Sequence, residues 1–176
     1  MRAKIIAECC QNHNGNAEIL KKMIHQAAES GADYVKLQTI RSKELTDRIR
    51  FREGEINQAG KILTIKRPYD IEYARLKNLD LELAEEQRFI EECRRAGVAS
   101  MTTAFTRQGA REIKNLGYES IKVASYDCAS FPFLAELKKN WSTIFVSTGA
   151  TYDDEIQKAA EVLRGVEFHL LHCVTI

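Results

Sequence analysis

At 176 residues, 44% hydrophobic and 29% charged, the chain is sized for one domain with a substantial core. Its 26 basic residues against 25 acidic ones leave a net charge of +1, which offers no broad field to nucleic acid or an anionic membrane surface. No apolar run approaches the roughly 20 residues that span a bilayer, and the N-terminus lacks a long apolar segment with a cleavage site, so a cytoplasmic location is expected.

Five cysteines, at positions 9, 10, 93, 128 and 173, are odd in number and show no CxxC spacing, so reduced thiols are expected. Adjacent Cys9 and Cys10 near His13 do not make a good soft-metal site, because neighbours in a strand point to opposite faces; core packing is the better reading.

The chain opens on an apolar run, Ile5-Ile6-Ala7, that feeds into Glu8 and the polar stretch to Gly15. In parallel α/β architectures chemistry sits where strands finish, which makes Glu8 a candidate. Asn16 caps a helix whose apolar residues Ile19, Leu20, Met23, Ile24, Ala27 and Ala28 recur at helical spacing, with Gly31 as its stop. Asp33 to Thr39 reads as a second strand with Tyr34, Lys36 and Gln38 on one face and Val35 and Leu37 on the other. From Ile40 to about Asp80 the pattern dissolves, with short helical pieces around Asp70 to Leu76. A connection of that length reads as a lid or a substrate-gripping excursion. Its Arg48, Arg50, Arg52, Lys66 and Arg67 are diluted by Glu44, Asp47, Glu53 and Glu55, and a solvated surface is the simpler reading.

Beyond it, Leu83 to Ala96 is a helix, and Val98 to Thr103 a third strand ending in hydroxyls. A helix from Arg107 to Leu116 leads to a fourth strand, Ser120 to Ser125, which again holds a lysine and precedes Asp127. Ser130 and Pro132 open a helix through Lys139. Thr143 to Gly149 is an apolar fifth strand finishing in Ser-Thr-Gly, an ending suited to an anion. Asp153 starts a helix with Ile156, Ala159, Ala160, Val162 and Leu163 on one stripe, and Glu167 to Cys173 is the sixth strand.

Six strands alternating with helices call for a parallel sheet with right-handed crossovers in one α/β domain. An eight-stranded barrel typically takes about 250 residues, and this chain reaches about three quarters of one. Six strands leave two unpaired edges, which invite dimerisation or aggregation. If the sheet curls, Glu8, Lys36, Gln38, Thr103, Lys122, Ser125, Asp127, Ser147 and Thr148 converge on one rim. Two lysines and several hydroxyls suit a ligand carrying phosphate and carboxylate, and a neighbouring carboxylate can shuttle a proton. A Schiff-base role for Lys122 or Lys36 is the competing reading.

The motifs Ile5-Ile6-Ala7-Glu8 with Asn12-His13-Asn14-Gly15, Gly31-Ala32-Asp33 with Val35-Lys36-Leu37-Gln38-Thr39, Lys122-Val123-Ala124-Ser125, Ser147-Thr148-Gly149 with Glu155-Ile156, and Leu170-Leu171-His172-Cys173 resemble the sialic acid synthase family in order and spacing along the whole chain. The resemblance implies an α/β fold of (β/α)8 TIM-barrel type, truncated here to about six βα units, that condenses phosphoenolpyruvate with an N-acetylated hexosamine, such as N-acetylmannosamine, to a nine-carbon 2-keto acid and phosphate. It implies a divalent metal, Mn2+ or Mg2+, and a homodimer. By position, Lys36, Thr103, Lys122, Ser125 and Ser147 would hold phosphoenolpyruvate, Gln38 and Asp127 would face the sugar or the reacting centre, and Glu8 would be a proton-transfer or orienting carboxylate.

There are departures. Cys10 stands where the family commonly has glycine, Thr102-Thr103-Ala104-Phe105 replaces Ser-Thr-Pro-Phe, and Ser125-Tyr126-Asp127 replaces Ser-Gly-Glu. The aromatic after Ala124-Ser125 also fits the pseudaminic or legionaminic branch, with a diacetamido-sugar acceptor. The last two strands, their metal-binding histidines and the C-terminal antifreeze-like domain of the family have no counterpart in these residues. His13, His25, His169 and His172 are not the expected ligands. Two readings follow: part of a working synthase, or a catalytically inactive anion-binding or assembly module.

Overall fold

The computed structural model describes residues 2–174. β1 (Ile6–Cys10) leads into α1 (Ala17–Glu29). The helix starts where Asn16 accepts hydrogen bonds from the Glu18 and Ile19 amides at 2.9 and 3.1 Å. β2 (Tyr34–Thr39) follows, then an excursion, then α4 (Leu83–Ala96) and β5 (Ala99–Ala104). The remaining units are α5 (Arg107–Ile113), β6 (Ser120–Val123), α6 (Phe131–Lys138), β7 (Thr143–Ser147), α7 (Asp153–Leu163) and β8 (Glu167–Leu171). The six long strands form one parallel sheet in the order β1-β2-β5-β6-β7-β8, so β1 and β8 are its edges. No helix among the described residues is long and apolar enough to cross a membrane.

The sheet has two chemically different faces, a consequence of the period of two along each strand. Val35, Leu37, Ile121, Val123, Ile144 and Val146 point outward into the apolar core shared with α1, α4, α6 and α7. The opposite face carries Lys36, Thr103, Lys122, Phe145 and His169, and parallel register aligns them: Gln38 opposite Thr103, Thr103 opposite Lys122, Lys122 opposite Phe145, Phe145 opposite His169. In a flat sheet β2 and β7, three places apart, would lie roughly 14 Å apart. Yet the Tyr34 and Phe145 rings meet edge to face with centroids 5.6 Å apart, so the sheet is curled into a trough with this face inside.

The excursion between β2 and α4 has more structure than its sequence declares. It contains α2 (Ile49–Glu53), a hairpin of β3 (Glu55–Ile56) and β4 (Ile62–Thr64), and α3 (Tyr69–Lys77). Its neck is clamped: Asp80 accepts from the Ser42 amide and hydroxyl at 2.8 and 2.5 Å, and Arg41 donates to the Leu81 carbonyl. Behind the neck, buried Glu86 accepts from Thr39, Tyr118 and Arg41 at 2.7, 2.8 and 3.0 Å. Burial pushes the Glu86 carboxyl upward, while these donors act to lower it. The far end docks on the loop after β1. There Gly15 takes φ +72°, and a Cβ on it would meet the Asn78 carbonyl oxygen at 2.3 Å.

Candidate active site

The C-terminal ends of β1, β2, β5, β6 and β7 build the candidate site. Lys36 is 1% exposed, and its ammonium is fully committed. It pairs with Glu8 Oε1 at 2.9 Å, donates to Thr103 Oγ1 at 3.1 Å and reaches the Leu37 carbonyl at 3.3 Å. The solvated-stem reading of this strand lysine therefore does not apply. Glu8 keeps access to the trough, with 41% of its side chain exposed, and its Oε1 also accepts the Cys10 amide at 3.2 Å. Cys10 sits at φ +47°, in the left-handed region that glycine occupies freely. The position is one that glycine would fill without strain.

Lys122 is the other lysine of this face, and it has no hydrogen bond or ion pair among the described residues. Burial and the neighbouring Lys36 charge both pull its ammonium below its ordinary value, while Glu8 opposes them. Ser147, two residues beyond Phe145 on the same side of β7, is buried, and its hydroxyl has no partner among the described residues. Gln38 donates to Cys10 Sγ at 3.5 Å. The trough thus holds a neutralised lysine, a free lysine, a free hydroxyl and a carboxylate within a few strands of one another.

Ser125 lies off β6, in a 3-10 turn of Ser125–Asp127, whereas its sequence reads as strand. Its hydroxyl accepts the Gly149 amide at 3.2 Å, so the loop after β7 is tied to the loop after β6. The Thr148 amide and hydroxyl both go to the Leu171 carbonyl, at 3.0 and 3.1 Å. These bonds occupy two of the groups from which the Ser-Thr-Gly ending would make an anion cradle. Ser147 retains its donor.

Asp127 faces a different space. Desolvation raises its carboxyl from 3.8 to about 6, and one carboxyl oxygen is buried without a partner. It lines a cavity of about 660 Å³ between the ends of β5 and β6 and the excursion. Phe51, Tyr69, Phe105 and Tyr126 give this cavity aromatic walls, and Arg41, Arg48, Arg67 and Arg75 give it cations. Glu8, Lys36, Lys122 and Ser147 do not line it, so the anion rim and the cavity are neighbouring compartments. Arg41 and Arg75 are engaged by Glu86 and Glu72. Arg48 and Arg67, read from sequence as solvated surface, sit on the cavity wall. Glu44, also on that wall, accepts from the Thr106 hydroxyl at 2.6 Å.

The divalent cation implied by resemblance finds no fitting ligand set. Among the described residues no three His, Cys, Asp or Glu side chains cluster, and the Glu8 carboxylate is held by Lys36. His13 is buried and accepts the Gly15 amide on Nδ1 at 3.0 Å, and burial lowers its affinity for a proton. Its role is to shape the first loop.

Comparison with known proteins bears on this geometry. The chain is 29% identical to N,N'-diacetyllegionaminic acid synthase of Campylobacter jejuni over 97% of its own length and 51% of that protein's. It is 25% identical to pseudaminic acid synthase of Helicobacter pylori over 98% and 50%, and 24% identical to human N-acetylneuraminate-9-phosphate synthase over 97% and 46%. The chain therefore spans about half the length of the curated relatives it matches. Among solved structures, the N-acetylneuraminic acid (sialic acid) synthetase of Leptospira borgpetersenii superposes with a TM-score of 0.80 at 25% identity, over 100% of this chain and 55% of that one. A DAHP synthase of Thermotoga maritima, at 13% identity and TM-score 0.65, shares the fold. The sequence pattern of the NeuB family matches residues 23–176, and the chain belongs to the NeuB family.

Proposed function

We propose that this chain carries the anion-binding portion of a synthase that condenses phosphoenolpyruvate with an N-acetylated hexosamine, N-acetylmannosamine or a diacetamido relative, to a nonulosonic acid with release of phosphate. The observation that carries the reading is the unpartnered Lys122 ammonium beside the Lys36–Glu8 pair and the free, buried Ser147 hydroxyl. A small ligand with phosphate at one end and carboxylate at the other satisfies all of these at once. The names of the relatives above support the product class.

In this mechanism Lys122 and Ser147 hold the phosphate, and the ligand carboxylate displaces Glu8 from the Lys36 ammonium beside Thr103, which frees Glu8 to act as a base. The enol carbon C3 attacks the aldehyde carbon of the open-chain sugar, and the carbonyl pair moves to oxygen. Asp127, raised to about 6, retains a protonated fraction near neutrality and supplies the proton to that oxygen. The loss of the C2–C3 π pair leaves C2 electron-poor. Water adds there and Glu8 takes one of its protons; the hydroxyl left on C2 then collapses to the ketone as the C2–O bond to phosphate breaks, its proton leaving with the phosphate, which gives the 2-keto acid. Gln38 orients the sugar from the Cys10 side of the rim, and Ser125 holds the loop that presents Ser147.

Phosphate release from phosphoenolpyruvate should require an N-acetylated hexosamine. Comparison of N-acetylmannosamine with a 2,4-diacetamido-hexose tests the acceptor branch, for which the pseudaminic and legionaminic relatives are the support. A second reading makes the chain an inactive anion-binding or assembly module. Phosphoenolpyruvate binding with no turnover under any of these conditions would select it.

A further inference from the structure

We infer that Glu44 is a specificity-determining residue of the cavity, its carboxylate accepting a hydrogen bond from the C4 substituent of the acceptor sugar, hydroxyl or acetamido N–H. This rests on the functional reading above and adds to it the residue that grips the sugar away from its aldehyde. The cavity, at about 660 Å³, falls in the range of small-molecule sites, about 300–1,000 Å³. Two residues of its wall, Glu44 and Asp127, each keep one buried carboxyl oxygen without a hydrogen-bond partner among the described residues. Buried polar atoms in folded proteins are nearly always paired, so these two call for a ligand that donates. Arg48 and Arg67 stand on the same wall and disfavour a cationic occupant, which leaves a neutral donor. The rings of Phe51, Tyr69, Phe105 and Tyr126 suit the apolar face of a sugar and the methyl of an acetamido group.

Glu44 is held in place before any ligand arrives. The Gly109 amide donates to the Thr106 hydroxyl oxygen at 2.9 Å, and the proton of that hydroxyl goes to Glu44 Oε2 at 2.6 Å. Gly109 is part of the seat, since a Cβ there would lie 3.2 Å from both Glu44 carboxyl oxygens. The turn that carries Glu44, Ser42–Glu44, is anchored by the two bonds from Ser42 to Asp80. A carboxylate fixed in this way has little conformational entropy left to lose on binding. Asp127 sits on a separate turn, Ser125–Asp127, and serves the aldehyde in the functional reading, so Glu44 meets another part of the sugar. C4 is a position remote from the aldehyde at which N-acetylmannosamine carries a hydroxyl and a 2,4-diacetamido-hexose an amide N–H. A carboxylate accepts from either.

Calorimetric titration of the 176-residue chain with each sugar tests the inference, with inorganic phosphate present to fill the anion rim without turnover. In Glu44→Gln the amide carbonyl keeps the Thr106 proton and the NH2 turns to the cavity, so donor meets donor. The dissociation constant for N-acetylmannosamine or the 2,4-diacetamido-hexose, whichever the parent binds, should rise roughly 10- to 100-fold. Phosphoenolpyruvate affinity and the melting temperature should stay as in the parent. The 4-deoxy analogue, which lacks the donor, puts the same question to the unaltered chain. It should bind the parent about as weakly as the full sugar binds the variant, and Glu44→Gln should weaken it no further. Equal sugar affinity in parent and variant, or full affinity for the 4-deoxy analogue, overturns the inference and leaves the functional reading standing. A parent that binds phosphoenolpyruvate but neither sugar overturns that reading, and this inference with it.

Discussion

Lys36 and Lys122 are chemically identical and share one face of the sheet, yet their surroundings assign them different work. Lys36 is spent on Glu8 and Thr103, while Lys122 has burial and a like charge against it and no protein acceptor. An anionic ligand would relieve that electrostatic penalty. Lys122→Ala should therefore lower phosphoenolpyruvate affinity by about 10- to 100-fold, the worth of one charge-assisted contact, and leave the melting temperature unchanged or higher. Titration calorimetry with the ligand and a thermal melt of the apoprotein check both arms; equal affinity would remove Lys122 from the site. Asp127 is the residue whose behaviour the sequence conceals. Its folded value, about 6, lies above 3.8, so the folded state holds the proton more tightly than the unfolded chain. Its contribution to stability is thus full below about 4 and is lost as pH rises through 4 to 6. In Asp127→Asn that part of the decline should vanish, as read from the difference between the urea midpoints of variant and parent along a pH series. The lysines were legible because a charge inside an apolar strand stands out. The raised carboxyl was not, because the far wall of its cavity comes from an excursion distant in the chain.

At the scale of elements, the excursion is better described as a fixed wall than as a lid. Four hydrogen bonds close its neck or brace it from behind, and they converge on Arg41, Ser42, Asp80 and Glu86. Asp80 alone satisfies two donors of Ser42. Asp80→Ala leaves both unpaired and should cost about 1–3 kcal/mol. Hydrogen exchange should show the loss as faster opening of the amides between positions 40 and 81, with those of β5 and β7 unaffected. Uniform exchange throughout the chain would mean the neck is not an independent hinge point. The six-stranded alternation could be read directly, since long apolar strands and capped helices each repeat a period over many residues. The hairpin could not: β3 and β4 are two and three residues long, too short to establish an alternation. Glu86 was hidden for another reason. It is one acid among several on α4, and only the fold turns that particular one toward Arg41 and Tyr118 instead of solvent. Ser125 was read as strand because nothing local marks the 3-10 turn that carries it off β6.

For the molecule as a whole, function rests on curvature. In the proposed site, groups from β1, β2, β6 and β7 can meet one ligand only while the sheet remains a trough, and the six-stranded sheet gets no closing strand from within the described residues to enforce that. Aromatic packing across the concave face does the enforcing: Phe145 meets Tyr34 from β2 and stacks on His169 from β8 at 4.7 Å. The same residue sits opposite Lys122 in register. Phe145→Ala removes this packing and leaves a cavity, so the chain should lose about 3–5 kcal/mol, measured by urea unfolding. If Phe145 maintains the trough, phosphoenolpyruvate affinity should fall as well, although the side chain has no polar atom to offer the ligand. Phe145→Leu keeps most of the volume and should recover much of both losses. Stability that falls while affinity holds would locate the curvature in strand twist and in the covering helices. Parallel loss of both, with parallel recovery in the leucine variant, would make this apolar contact the support on which the charged rim depends.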